Sequence, residues 1–498
     1  MSHDAGISVR KAAMINAAGK YLKVLLTLLV NAVLARLLTP YDFGIVAVIT
    51  VFTTFFSTLS DMGLGPAIIQ HKDLDKNDIN SLFTYSLYLS LGLSLIFILC
   101  AWPIAWFYKD AVYLKPTMLL SLSLFFNAVN MVPNGMLNRD KKFVTIALRT
   151  VTVYILSAAV AIVLALNGWR FYALVVQAIL ASMLQFVWNW LSTRPSIVAR
   201  PSAAALGRIK NYSFYQFAFT LVNYFARNLD NLLAGKFMGE VKLGNYNKAY
   251  NLMLFPVNNL SGVVAPVLHP ILSHYQNDPT VIYQKYLRLV RLLFELGIFA
   301  SSFAFLCSAE IIGILYGPQW EPCVRCFELL SIAILPQMIN ASAGAIFQSI
   351  GNTRLLFLST CINTGLTLVA IILGVSGLSF AGLADIELLA LCVALSYVLH
   401  FFVAFYILLS RGLGFSFTRF LGQLIPQWAL LCLILCSILL YPMLDSALGL
   451  SGLATWCGQS QLILTHIINL GFKTIYLALI FAAGWYCTRR ASGKKGSY

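Results

Sequence analysis

Asn16, Lys20, Lys23, Thr27 and Asn31 recur at steps of three and four residues inside an otherwise apolar stretch. That spacing lines them along one face of a helix. Some two hundred positions later Gln216, Thr220, Asn223, Arg227 and Asn231 repeat the same steps in a second apolar stretch. Lys and Arg complement phosphate oxygens, and the amides and hydroxyls between them can bond sugar hydroxyls. Cations outnumber acids along both stripes, so they favour an anionic, hydroxylated ligand. Arg149 is a further cation inside an apolar stretch and joins the candidate binding residues. The acids are few. Asp61, Asp230 and Glu295 are the candidates for binding a coupling cation, H+ or Na+. Structural roles compete: Lys20 and Lys23 can snorkel to headgroups, Arg227 and Asp230 are spaced for an internal ion pair, and Glu295 follows Arg291 by one turn.

The stretches that carry these residues define the fold class. The 498 residues are 59% hydrophobic and 10% charged, with a mean hydropathy of +0.80, which excludes an ordinary soluble protein. The chain reads as an all-α polytopic membrane protein of about fourteen transmembrane helices, among them spans near 115–137, 169–192, 212–236, 244–272 and 325–349. Alternating strand patterns are absent. The net charge of +16 is mainly a topology signal, because the basic residues gather in alternate loops; no nucleic-acid partner is implied. An even number of spans then puts both termini in the cytoplasm. Lys20 and Lys23 interrupt the first apolar stretch, which reads as a retained span and not as a cleaved signal.

Chemistry beyond binding has little support. Asp42-Phe43-Gly44 has no accompanying nucleotide loop, and neither a Walker loop nor a His-Glu-x-x-His sequence occurs. Cys323 and Cys326 lack a second pair, and His269, His274, His400 and His466 are isolated. Neither a metal, a cofactor nor an enzymatic activity is expected.

The repeat gives the domain plan. The offset of about 200 continues beyond the stripes, from Phe43-Gly44 to Leu243-Gly244 and from Pro66 to Pro266. Six spans separate the copies, so both have the same orientation. Two parallel six-helix bundles, related by a pseudo-two-fold axis along the membrane normal, are expected over 1–192 and 212–410. A basic cytoplasmic linker, 193–211, joins them, and 411–498 adds two further helices and a basic tail.

Leu34-Ala35-Arg36-Leu37-Leu38-Thr39-Pro40-Tyr41-Asp42-Phe43-Gly44 resembles the start of Wzx-type bacterial polysaccharide exporters, members of the multidrug/oligosaccharidyl-lipid/polysaccharide (MOP) flippase superfamily. Ser60-Asp61-Met62-Gly63, the run from Gly244 to Asn251, and Tyr316-Gly317 with Trp320 extend the likeness. It is greatest to the colanic acid and teichuronic acid exporter branch. The resemblance implies a multi-pass protein of the bacterial inner (plasma) membrane. Its implied substrate is an oligosaccharide repeat unit linked through pyrophosphate to a polyprenol, turned from the inner to the outer leaflet for exopolysaccharide or capsule synthesis. Membrane lipids and a polysaccharide polymerase or export complex are the implied partners. The alternatives are a drug or peptidoglycan-precursor exporter of the same fold, and a membrane glycosyltransferase or polymerase.

Overall fold

The computed structural model describes residues 9–61, 68, 74–199, 201–202, 224, 228–261, 268, 272–276, 278–376, 385–448 and 462–493. All regular elements among them are helical. The chain divides into two compact units, Met1–Gly244 and Asn245–Tyr498.

Unit 1 contains α1 (Val9–Leu37), α2 (Pro40–Asp61), α3 (Lys76–Tyr108), α4 (Leu114–Val129), α5 (Met131–Arg139), α6 (Phe143–Leu166) and α7 (Tyr172–Thr193). It also holds the helical segment 228–238 and the first turn of α8 (Glu240–Pro256). Within it α1 packs on α6, α6 on α7, α3 on α4, and α4 on both α2 and α7. The span expected near 115–137 is found within Ala111–Arg139, with a one-residue irregularity at Asn130 between α4 and α5. Pro133 supplies the reason: it has no N–H to offer the Val129 carbonyl, so the helical ladder fails one turn earlier.

Polar residues on α3 have a structural task. Asn80 Oδ1 accepts from the Ser196 amide at 2.9 Å, Thr84 Oγ1 from Val198 at 3.0 Å and Ser81 Oγ from Ser202 at 3.1 Å. The Tyr85 hydroxyl donates to the Pro201 carbonyl. The start of the expected linker is thus a strap whose backbone is satisfied by α3 side chains, which explains three buried polar residues in an apolar helix. The linker's remaining residues, 203–211, lie outside the described residues.

Unit 2 contains the rest of α8, then α9 (Pro279–Leu306), α10 (Ser308–Leu315), α11 (Glu321–Ser331), α12 (Ile334–Ser349), α13 (Thr353–Val375), α14 (Asp385–Tyr406), α15 (Phe417–Gln423), α16 (Ile425–Leu448) and α17 (Leu462–Gly493). Its core joins Tyr286, Phe294, Phe405 and Phe420 to Leu430 and Leu477. The last two helices therefore share the core of their unit.

Among the described residues eleven helices are long and apolar enough to cross a membrane, or twelve if α11 and α12, bent by 55° with their flanking turn, form one span. The expected spans 212–236 and 244–272 fall partly outside the described residues. Large apolar side chains stand exposed all round, among them Leu25, Leu29, Leu99, Leu439 and Leu479, as a lipid-facing surface requires.

Among the described residues four that are not glycine are left-handed: Lys109, Lys141, Arg170 and Arg194. All four are basic; Lys109, Lys141 and Arg194 follow helix ends, whereas Arg170 lies just before α7 and pairs with Asp42. The left-handed conformation costs roughly 1–2 kcal/mol, while a cation near a helix C-terminus returns about 0.3–1 kcal/mol. For the three at helix ends the two effects offset in part, and each of those charges can reach the headgroup layer.

Candidate functional site

Arg149 is the buried cation of unit 1. It projects from α6 and is 6% exposed. Nη1 donates to Asn189 Oδ1 at 2.6 Å and to Asn134 Oδ1 at 3.1 Å. Asn189 Nδ2 in turn donates to Asn130 Oδ1 at 2.8 Å, so the chain of bonds reaches the break between α4 and α5. Nε is buried without a hydrogen-bond partner, and the described residues place no carboxylate in a salt bridge with this guanidinium. Neutral amides thus hold a full positive charge. Hydrogen bonds to a charged group contribute about 1.5–3 kcal/mol each, against a desolvation cost of several kcal/mol. Sequence reasoning singled out Arg149 but missed its asparagine network, whose signal was an amide at Asn130 and Asn134 in one apolar stretch and at Asn189 in another.

The first polar stripe lies on α1. Lys20 and Lys23 are exposed, whereas Thr27 and Asn31 are half-buried. The Thr27 hydroxyl donates to the Lys23 carbonyl at 2.8 Å. Asn16 belongs to the same helix. Of the second stripe, Gln216, Thr220, Asn223 and Arg227 lie outside the described residues. Asn231 and Asp230 are buried in the segment 228–238, where the Asn231 amide donates to Asp230 Oδ1 at 2.8 Å. The expected Arg227–Asp230 pair therefore lies partly outside the described residues. Asp61 ends α2, and its side chain is not among those described.

In unit 2 two carboxylates lie against the last two helices. Glu295 on α9 accepts from Gln427 Nε2 on α16 at 3.2 Å and from Trp485 Nε1 on α17 at 3.0 Å. Arg291, its expected neighbour, instead donates to the Gln423 carbonyl. Nearer the start of α17, Lys473 meets Glu310 on α10 at 2.7 Å and also donates to the Leu306 carbonyl. Both carboxylates thus fasten the last two helices. Elsewhere His400 lies 3.3 Å from Asn340 and 3.4 Å from Ser359. Among the described residues no three His, Cys, Asp or Glu side chains gather as a metal site would need.

Residues 33–325 match the family described as polysaccharide biosynthesis protein, more than half of the chain. The chain belongs to this family. The lipopolysaccharide biosynthesis protein WzxC of Escherichia coli (strain K12) is 21% identical over 79% of this chain and 79% of its own length. The teichuronic acid biosynthesis protein TuaB of Bacillus subtilis (strain 168) is 22% identical over 61% of this chain and 64% of its own. Among solved structures, lipid II flippase MurJ in an inward closed conformation superposes with a TM-score of 0.70 at 15% identity, covering 95% of this chain and 99% of that one. An inward-facing multidrug resistance MATE transporter of the MOP superfamily gives 0.60 at 15% identity, covering 84% and 97%. The fold is of the MurJ and MATE kind.

The motifs that carry the family likeness are structural supports. At the start of the matched region Asp42 is buried. It accepts from the Thr39 amide and hydroxyl and from the Phe171 amide, and pairs with Arg170 at 3.3 Å. It ties the α1–α2 turn to the turn before α7. A Cβ on Gly44 would overlap the Glu240 carbonyl, and one on Gly244 the Pro40 carbonyl. Those two contacts are reciprocal at the repeat offset. In unit 2 the family motifs meet: Lys248 is buried with its ammonium 5.0 Å from the Tyr316 ring and 5.7 Å from that of Trp320. Burial raises the Tyr316 phenol above its ordinary pKa, so a neutral ring faces the ammonium.

Proposed function

We propose that this protein is a flippase that carries polyprenyl-pyrophosphate-linked oligosaccharide repeat units from the inner to the outer leaflet of a bacterial plasma membrane, by alternating access and without a covalent step. The observation that carries the reading is Arg149, a buried cation held by asparagines and salt-bridged to no described carboxylate. Lys20, Lys23, Thr27, Asn31 and Arg149, with Gln216, Thr220, Asn223, Arg227 and Asn231, supply contacts to pyrophosphate and sugar while the polyprenol stays in the bilayer. The names of the relatives point the same way: lipopolysaccharide, teichuronic acid and, in Rhizobium meliloti, a succinoglycan biosynthesis transport protein. Residues 1–192 and 212–410 are then parallel six-helix repeats, a plan supported by the reciprocal Gly44 and Gly244 contacts. Coupling to H+ or Na+ falls to Asp61 or Asp230, because Glu295 is occupied with helix docking. Both termini are cytoplasmic, and the product passes to a polysaccharide polymerase.

Reconstitution tests this. Protein in liposomes loaded with fluorescent lipid-linked oligosaccharide should expose the label on the opposite leaflet with no new glycosidic bond. A new glycosidic bond, or no transfer with a folded protein, overturns the proposal. Transfer of lipid II at an equal rate would instead make the protein a peptidoglycan-precursor exporter.

A further inference from the structure

A second anion site is built into unit 1, at the end where α3 starts and α5 and α7 finish. A cavity of about 250 Å³ opens there, lined by Lys76 of α3, Arg139 of α5 and Arg194 after α7, over a floor that includes Ile79 and Met136. Lys76 and Arg194 are exposed, so neither is consumed by the core. Arg139 is half-buried and its Nη2 donates to the Leu74 carbonyl at 3.0 Å, which fixes the guanidinium at the rim. Three acids are near. Asp140 also lines the cavity and sits 3.8 Å from Lys142. Asp75 and Asp78 exchange capping bonds at the start of α3, each accepting from the other's amide.

The lining therefore offers three cations from three helix ends against the single acid Asp140, beside the apolar Ile79, Met136 and Pro195. The strap also fixes the geometry, because the amide of Ser196, two residues beyond Arg194, is bonded to Asn80 in the cavity wall. A cationic rim above an apolar floor at headgroup depth fits a phosphate diester with a glycerol backbone beneath it. The volume is too small for an oligosaccharide diphosphate. The basic loops assign this end of the unit to the cytoplasm.

We infer that this cavity binds the headgroup of an anionic phosphoglycerol lipid of the cytoplasmic leaflet. The site is separate from Arg149 and does not depend on what the protein transports.

The test is native mass spectrometry of the full chain released from nanodiscs of mixed phosphatidylglycerol and phosphatidylcholine. The wild type should retain phosphatidylglycerol, and the pair Lys76→Gln with Arg194→Gln should retain roughly tenfold less, with phosphatidylcholine unchanged. The charge-conserving pair Lys76→Arg with Arg194→Lys should restore retention, which separates loss of the site from loss of fold. Lys109→Gln, in the loop between α3 and α4, with Lys115→Gln, in the first turn of α4, should retain as much as the wild type. Equal retention by wild type and the Gln pair, or an equal loss in the Lys109 and Lys115 control, overturns the site. Displacement of the lipid by equimolar inorganic phosphate would make it a free-anion site and overturn the lipid assignment.

Discussion

Units 1 and 2 both bury charge inside apolar helices, and two of those charges are compensated in opposite ways. In unit 2 Lys473 meets Glu310 in a salt bridge, while half-buried Glu295 accepts from the neutral donors of Gln427 and Trp485. Those bonds join α16 and α17 to α9 and α10. In unit 1 Arg149 has amides where a carboxylate would neutralise it. An intramembrane charge is therefore not in itself a sign of a binding site. A charge whose partners neutralise it explains architecture, whereas one held by neutral dipoles keeps its attraction for a ligand of opposite sign.

The comparison can be broken first in unit 2. Lys473→Met alone should leave Glu310 charged and buried, costing about 3–5 kcal/mol. Adding Glu310→Gln should recover most of that loss, as a double-mutant cycle of unfolding in detergent would show. If the single and double variants are equally unstable, the pair is not the fastening. In unit 1 Asn189→Ala removes a short bond to Arg149 and should cost roughly 1.5–3 kcal/mol. A stability unchanged by that substitution would mean the guanidinium finds other partners. Gly44→Ala pushes a methyl into the Glu240 carbonyl and should cost about 1–3 kcal/mol.

Smaller effects sharpen the same contrast. Glu295→Gln keeps an acceptor for Trp485 or Gln427 and should lower stability by only about 1 kcal/mol, with transport retained. Lost transport with intact folding would restore Glu295 as a coupling residue. Lys141→Gly exchanges a left-handed cation for an unstrained residue, so its effect on the unfolding midpoint should stay within roughly 0.5 kcal/mol of zero.

Much of the helical framework was legible because apolar length is a local property. The span expected at 169–192 is α7, Tyr172–Thr193. The break at Asn130 escaped, although Pro133 was its visible cause. Partners were harder to read, since Asn189 lies 40 residues from Arg149 and Lys473 lies far along the chain from Glu310. Only tertiary packing brings them together. The stripe on α1 was readable from spacing alone. Its copy from Gln216 to Arg227 lies outside the described residues, and Asn231 alone of that set is placed. The family motifs were visible as sequence, but their work was not. Asp42 ties two turns, Lys248 sits against two rings, and Gly44 lets backbone meet backbone.

One transport measurement tests the central claim most directly: the initial rate at which reconstituted protein turns labelled polyprenyl-pyrophosphate oligosaccharide across the bilayer. The rate would be compared between Arg149→Gln and the pair Lys473→Met with Glu310→Gln, each matched for folded protein. Arg149→Gln should be slower than the wild type by about tenfold or more, the equivalent of losing one charged contact, and the neutralised pair should transport at close to the wild-type rate. A wild-type rate for Arg149→Gln would contradict the account.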